Sequence, residues 1–221
     1  MDTRRQVALQ FNTEISINDL CLQRGEKRLI ENLNLQLKAG DGLELRGANG
    51  SGKSTLLRAI AGLHRPAKGK ISIGQNLDLA QRENLILLGH RDGVQNNETV
   101  RKQLEFWAVF FGTDKTLVDN AIENLGLSKL ASLAGGVLSA GQRQRVALAR
   151  LLIADRAIWL LDEPAAPLDE KGRELLQNLL KQHRGNGGII IIAAHNKPQD
   201  SSYKMLKIGE SASVRNWNLS Q

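Results

Sequence analysis

The chain has 221 residues, enough for one large domain or two small ones with a sizeable core. Hydrophobic residues supply 41% and aromatics only 4%, so the core must be mostly aliphatic, and the single cysteine, Cys21, excludes an internal disulfide and fits a reducing compartment. The net charge of +7 comes without a long Lys/Arg block or interleaved aromatics. Its densest central spot, Arg143 with Arg145, reads as solvated surface, and no nucleic acid is expected.

Residues 1–13 read as irregular, with Arg4 and Arg5 followed by no apolar stretch of signal-peptide length. Ile15 and Ile17 alternate with polar residues, and Leu20 and Leu22 resume the pattern after Asp19. Residues 24–27 form a turn, and Leu33, Leu35 and Leu37 form a returning strand, which predicts antiparallel sheet. Leu43 and Leu45 mark a short strand ending at Gly47, and a helix follows over about 53–62. Residues 94–135 are mostly helical, with Leu104, Trp107, Ala108 and Phe111 on one face. Ser139 opens another helix, whose expected buried face is Val146, Ala149 and Leu152.

The continuous apolar runs 157–161 and 189–194 suit strands covered on both faces, and 172–182 reads as a helix between them. Strands alternating with helices imply an α/β fold with a parallel sheet. The stretch from about 92 to 156 breaks that alternation and reads as an inserted helical subdomain. No run approaches the roughly 18–20 apolar residues that span a bilayer. Work at a membrane would require another protein to hold this one there.

Residues 47–54, Gly-Ala-Asn-Gly-Ser-Gly-Lys-Ser, match the spacing G-x-x-x-x-G-K-[ST] between a strand and a helix. A triphosphate needs many donors packed around it. Gly47, Gly50 and Gly52 let the backbone curl, so that N–H groups of Ala48, Asn49, Ser51 and Thr55 can point inward. Lys53 is placed to reach the β- and γ-phosphates, and the Ser54 hydroxyl to ligate Mg²⁺.

The run 158–163 is an apolar strand ending in Asp162 and Glu163. Ligands of parallel sheets bind at the carboxyl ends of strands, which brings Asp162 toward Mg²⁺ and Glu163 toward the γ-phosphate as general base. Leu138-Ser-Ala-Gly-Gln142 opens a helix, with Ser139 as N-cap and Gly141 allowing close approach. A capped helix start with a hydroxyl is also a second anion site. Two such sites in one chain suggest that two chains share each nucleotide.

With these motifs in this order, the chain from about 15 to 208 resembles the nucleotide-binding domains of ATP-binding cassette (ABC) proteins. In that likeness 47–54 is the Walker A motif and 138–142 the signature motif, with Ala140 where many members have Gly. Residues 160–163 are Walker B with the catalytic glutamate, 165–169 the D-loop ending at Asp169, and His195 the switch histidine that senses the γ-phosphate. The resemblance implies a P-loop NTPase (RecA-like) core with a mostly parallel sheet and an N-terminal antiparallel β-subdomain, spanning about 15–91 and 157–208. The helical subdomain at 92–156 is inserted in it. It implies ATP and Mg²⁺ as ligands, ATP hydrolysis, and a head-to-tail homodimer in which Ser139, Gly141 and Gln142 act across the interface.

Two positions depart from the family pattern. Arg24 stands where an aromatic residue usually stacks on adenine, a task a guanidinium plane can also perform. Arg91 stands where the family has a glutamine, with Gln95 nearby but displaced. The segments 21–28, 88–93, 104–107 and 138–150 resemble the ATP-binding subunits of the bacterial cytochrome c maturation system. That likeness implies integral membrane permease subunits as partners, a haem-handling step as the work driven, and a peripheral position on the cytoplasmic face of the inner membrane. An ATPase subunit of another exporter, or an ABC ATPase acting on nucleic acid, remain the alternatives.

Overall fold

A computed structural model describes residues 10–74, 83–194 and 202–209. The expected irregular start therefore lies outside the described residues up to residue 9, and residues 10–13 carry no regular structure. The expected hairpin is formed by β1 (Glu14–Arg24) and β2 (Lys27–Lys38), with Gly25 at φ 60° in the turn. The phase change seen in the sequence is a bulge. Register shifts between Ile17 and Leu20, and Asp19 takes φ 45°. The extra residue keeps Ile15, Ile17, Leu20 and Leu22 on one face, all buried. Asn34 secures the bulge, accepting from Asp19 N at 2.9 Å and donating to its carboxylate at 3.0 Å.

A strand that the sequence pattern did not reveal, β4 (Lys68–Ile73), closes the other edge of β1 and pairs Ile17 with Ile71. Gly69 is needed there, because a Cβ would lie 2.4 Å from the Asp19 carbonyl oxygen and its φ is 85°.

The second sheet has five strands in the order β5 (Leu85–Leu88), β6 (Ile158–Asp162), β7 (Ile189–Ala193), β3 (Gly42–Arg46) and β8 (Lys204–Lys207). Every neighbouring pair is parallel. Helices cover both faces: α1 (Lys53–Ile60), α2 (Val100–Phe111), α3 (Thr116–Asn124), α4 (Ala140–Ala154) and α5 (Glu170–Gly185).

The pleat sorts the apolar strands between two cores. Ile158, Leu160, Ile189 and Ile191 face α1 and the antiparallel sheet, through Leu56, Leu57 and Ile60. Trp159, Leu161, Ile190 and Ile192 face the helical layer, through Val146, Leu148, Leu176 and Leu180. Each fully buried Ile or Leu contributes about 2 kcal/mol of transfer free energy.

Two helical expectations are adjusted. Leu152 is half-buried, and α4 turns Leu148, Leu151 and Ile153 inward beside Val146 and Ala149. The helix expected at 172–182 runs longer at both ends, and it starts earlier because Asp169 caps it, its Oδ1 accepting from Gly172 N at 2.8 Å. No helix among the described residues is long and apolar enough to cross a membrane.

His183 on α5 lies flat on the Trp159 ring, with centroids 3.7 Å apart and planes 8° apart. Its Nε2 is 3.2 Å from the Ala157 carbonyl oxygen, which can only accept, so the neutral ring carries its proton on Nε2. Burial lowers its pKa to about 4, against smaller raising effects from the backbone at Ala157 and Ile189. The unfolded chain therefore binds the proton first, near pH 6.5. Stability is full above that value and is lost as pH falls toward 4, by about 3 kcal/mol at most. Urea melts at pH 7 and pH 4.5 should show this loss in the wild type and a shallower one in His183→Phe. Equal pH dependence in the two proteins would contradict it.

Candidate functional site

Because all five strands run the same way, their carboxyl ends share one edge. The phosphate loop leaves β3 at that edge and enters α1 directly. Its shape depends on glycine at two positions. A Cβ on Gly47 would lie 1.9 Å from the Ile208 carbonyl oxygen, and its φ is 153°. Gly52 caps α1 at φ 116°, with Leu29 Cβ 3.1 Å from where its own Cβ would be. The segment after β8 walls the loop, with Ile208 N donating to the Arg46 carbonyl at 2.6 Å.

Lys53 is buried at 5% exposure, and its Nζ donates to the carbonyls of Gly47 at 2.7 Å and Ala48 at 3.0 Å. The ammonium thus lies across the mouth of its own loop. Ser51 Oγ is buried there without a hydrogen-bond partner. An orphaned hydroxyl, a buried ammonium and a helix N-terminus form a set that phosphate oxygens satisfy. Ser54 and Thr55 occupy the first turn of α1.

Asp162 ends β6, opposite Ala193 of β7. The order β6-β7-β3 separates it from the phosphate loop by two strand spacings, about 10 Å. Glu163 follows at φ 55°, a left-handed conformation that costs a non-glycine residue about 1 kcal/mol. Its N–H donates to the Ala193 carbonyl at 3.0 Å, which anchors the turn to the neighbouring strand. The chain thus leaves the strand sharply at the carboxylate. His195, which follows β7, lies outside the described residues.

Ser139 caps α4 in a reciprocal box. Its Oγ accepts from Gln142 N at 3.2 Å, and Gln142 Oε1 accepts from Ser139 N at 2.9 Å. A Cβ on Gly141 would lie 3.0 Å from the Pro167 carbonyl oxygen, so this glycine lets the 165–169 loop approach the helix start. Buried Gln144 donates to the Pro164 carbonyl at 2.9 Å and ties α4 to the turn after Glu163. The phosphate loop, Asp162 and Glu163 are therefore gathered at one sheet edge. Ser139, Gly141, Gln142 and Asp169 gather around the loop at 165–169. The helices carrying the two groups pack on opposite faces of the sheet. Arg24 is exposed at the end of β1, opposite Lys27.

The reading of Arg143 and Arg145 as solvated surface is corrected. Arg143 donates to Asp92, Asn96, Gly135 and Val94, and Arg145 Nη1 to the carbonyls of Leu125 and Gly126. These arginines bind chain carbonyls presented by the turns around 92–96, 125–126 and 135. Asp92, which the sequence pattern did not single out, lies at the centre of that set. Arg91 is exposed, and Gln95 N is held by Gln103 Oε1 at 2.7 Å.

Residues 30–166 match the sequence profile of the family described as ABC transporter. The chain is 38% identical over 211 residues to the cytochrome c biogenesis ATP-binding export protein CcmA of Agrobacterium fabrum, covering 92% of this chain and 99% of that one. It is 42% identical over 190 residues to the protein of the same name from Rhodopseudomonas palustris, covering 86% and 94%. A putative ABC transporter ATP-binding protein from Pyrococcus furiosus shares the fold at TM-score 0.78 and 24% identity, covering 88% of this chain and 97% of that one. The cbiO1 protein of Clostridium perfringens, part of the cbiONQ ABC transporter complex, superposes at TM-score 0.73 and 25% identity, covering 88% and 84%.

Gly47→Ala should lower affinity for ATP at least tenfold, because the methyl group must displace the Ile208 backbone from the loop wall. Titration with a fluorescent ATP analogue checks this, and unchanged affinity would contradict it.

Proposed function

Because this chain belongs to the ABC transporter family and, within it, to the cytochrome c biogenesis ATP-binding export proteins CcmA, we propose that it hydrolyses ATP to power a haem-handling step in c-type cytochrome biogenesis. The step is haem export or release of a haem-loaded chaperone. The observation that carries the hydrolytic reading is the shared edge, with a glycine-built phosphate cradle two strands from the Asp162–Glu163 pair.

In this mechanism Lys53 Nζ leaves the Gly47 and Ala48 carbonyls for the β- and γ-phosphate oxygens, while the N–H groups over 47–55 hold the remaining charge. Ser54 and Asp162 would hold Mg²⁺, which when bound neutralises phosphate charge as the β–γ bond breaks. The Glu163 carboxylate takes a proton from the attacking water, and ADP and inorganic phosphate are the products. His195 senses the γ-phosphate in the same proposal. Arg24 stacks its guanidinium on adenine, for which its exposed place at the hairpin end leaves room.

The signature residues Ser139, Gly141 and Gln142, with Asp169, complete the site of a second copy in a head-to-tail dimer. What supports this is that the helix after the phosphate loop and α4 pack on opposite faces of one sheet. The chain divides into a core at 15–91 and 157–208 and a helical subdomain at 92–156, whose helices α2, α3 and α4 pack mutually.

Membrane permease subunits are the partners that receive the motion, at the cytoplasmic face of the inner membrane. A cavity of about 390 Å³ lined by Gln95, Glu98, Gln103, Phe106 and Trp107 is suited to receive them. It borders an exposed apolar face of α2, where Phe106, Val109 and Phe110 are 60%, 70% and 65% exposed.

Glu163→Gln should retain ATP binding while turnover falls about a hundredfold. Cells that depend on this variant should fail to attach haem to c-type cytochromes. Near-normal hydrolysis would remove Glu163 as base, and intact cytochromes c in cells lacking the protein would remove the haem assignment.

A further inference from the structure

The segment 92–96 leaves the end of β5 and is sewn to the start of α4 before the chain enters α2. The Arg143 guanidinium grips both carboxylate oxygens of Asp92, Nε to Oδ2 at 2.8 Å and Nη2 to Oδ1 at 3.1 Å. Its remaining donors reach Asn96 Oδ1 at 2.9 Å and the carbonyls of Gly135 at 3.0 Å and Val94 at 2.8 Å. Asp92 also accepts from Val94 N at 2.9 Å. Two helical turns further along α4, Arg150 Nη2 donates to the Asp92 carbonyl at 2.6 Å. One aspartate is therefore bound by side chain and backbone to two points on one helix.

Gly93 permits this closeness, because a Cβ there would lie 2.8 Å from Arg150 Nη1. The pair is partly withdrawn from water, with side chains 22% and 29% exposed. A forked, partly buried pair of this kind holds geometry better than an exposed one. The Arg143 hydrogen bond lowers the Asp92 pKa, and the same bond raises that of Arg143.

The place of this pair gives it a mechanical role. Leu88 pairs with Leu161 across β5 and β6, and Asp162 and Glu163 follow Leu161. Asp92 comes one short turn after Leu88, and Arg143 comes one helical turn after Ser139. The segment from Leu88 to Asp92, with the Asp92–Arg143 pair, thus joins the carboxylate end of β6 to the capped start of α4.

We propose that Asp92 is a positioning residue. Through Arg143 it fixes Ser139, Gly141 and Gln142 relative to the Asp162–Glu163 edge, so that nucleotide at the phosphate loop is felt at the start of α4. This proposal rests on the nucleotide reading above. It assigns the coupling to residues that touch neither phosphate nor metal.

Hydrogen exchange on the full chain tests it, with Glu163→Gln as the parent so that Mg-ATP persists. In the parent, Mg-ATP should slow exchange over both 47–55 and 139–146. In Asp92→Asn, and independently in Arg143→Gln, protection over 47–55 should remain and that over 139–146 should fall at least fivefold. Asp92→Glu, which keeps the carboxylate, should recover much of it. In the otherwise wild-type protein, Asp92→Asn should lower kcat at least fivefold with KM within twofold. Equal protection over 139–146 in both variants and the parent would overturn the proposal. Absence of protection over 47–55 in the parent would instead sink the nucleotide reading, and the proposal with it.

Discussion

The parallel register of β6, β7 and β3 is the constraint on which the other features depend. Strands that run the same way end together, so one edge of the sheet collects the phosphate loop, Asp162 and Glu163. The register is fixed because both faces are buried. A one-residue slip would exchange the set Ile189 and Ile191 with the set Ile190 and Ile192 between cores of different shape. The site's geometry is therefore set by packing well below the reactive edge.

Strain and close approach concentrate at that edge. Gly47 passes under the Ile208 carbonyl, and Glu163 holds a left-handed conformation while its N–H binds Ala193. The first is held by the segment after β8 and the second by β7. Such positions persist where surrounding structure over-determines them, and they position groups that a relaxed chain would release. On the opposite face, the Asp92–Arg143 pair does similar work for α4, using charge in place of backbone strain.

The sequence made the phosphate loop, the acidic strand end and the capped helix start legible because each needs particular residue types at fixed spacing. The bulge at Asp19 was visible as a change of hydrophobic phase. The strands β4, β5 and β8 were not, because each combines an edge position with a length of only four to six residues. Lys68, Lys70, Lys204 and Lys207 also dilute the apolar pattern of β4 and β8. Arg143 and Arg145 were misread because a sequence displays charge without the carbonyls that meet it. Those carbonyls come from positions 8 to 49 residues away. Asp92 gave no signal for the same reason, since its partners are distant in the chain.

In the proposed dimer, each ATP is hydrolysed between the phosphate loop of one copy and the signature helix of another. Mixing tests it directly. Lys53→Ala and Ser139→Arg proteins should each be inactive, because each homodimer lacks one half of both sites. Combined, they form mixed dimers with one complete site, and ATPase activity should return to a measurable fraction of the wild-type rate. Failure of activity to return, in a mixture shown by affinity tags to co-assemble, would contradict the shared site.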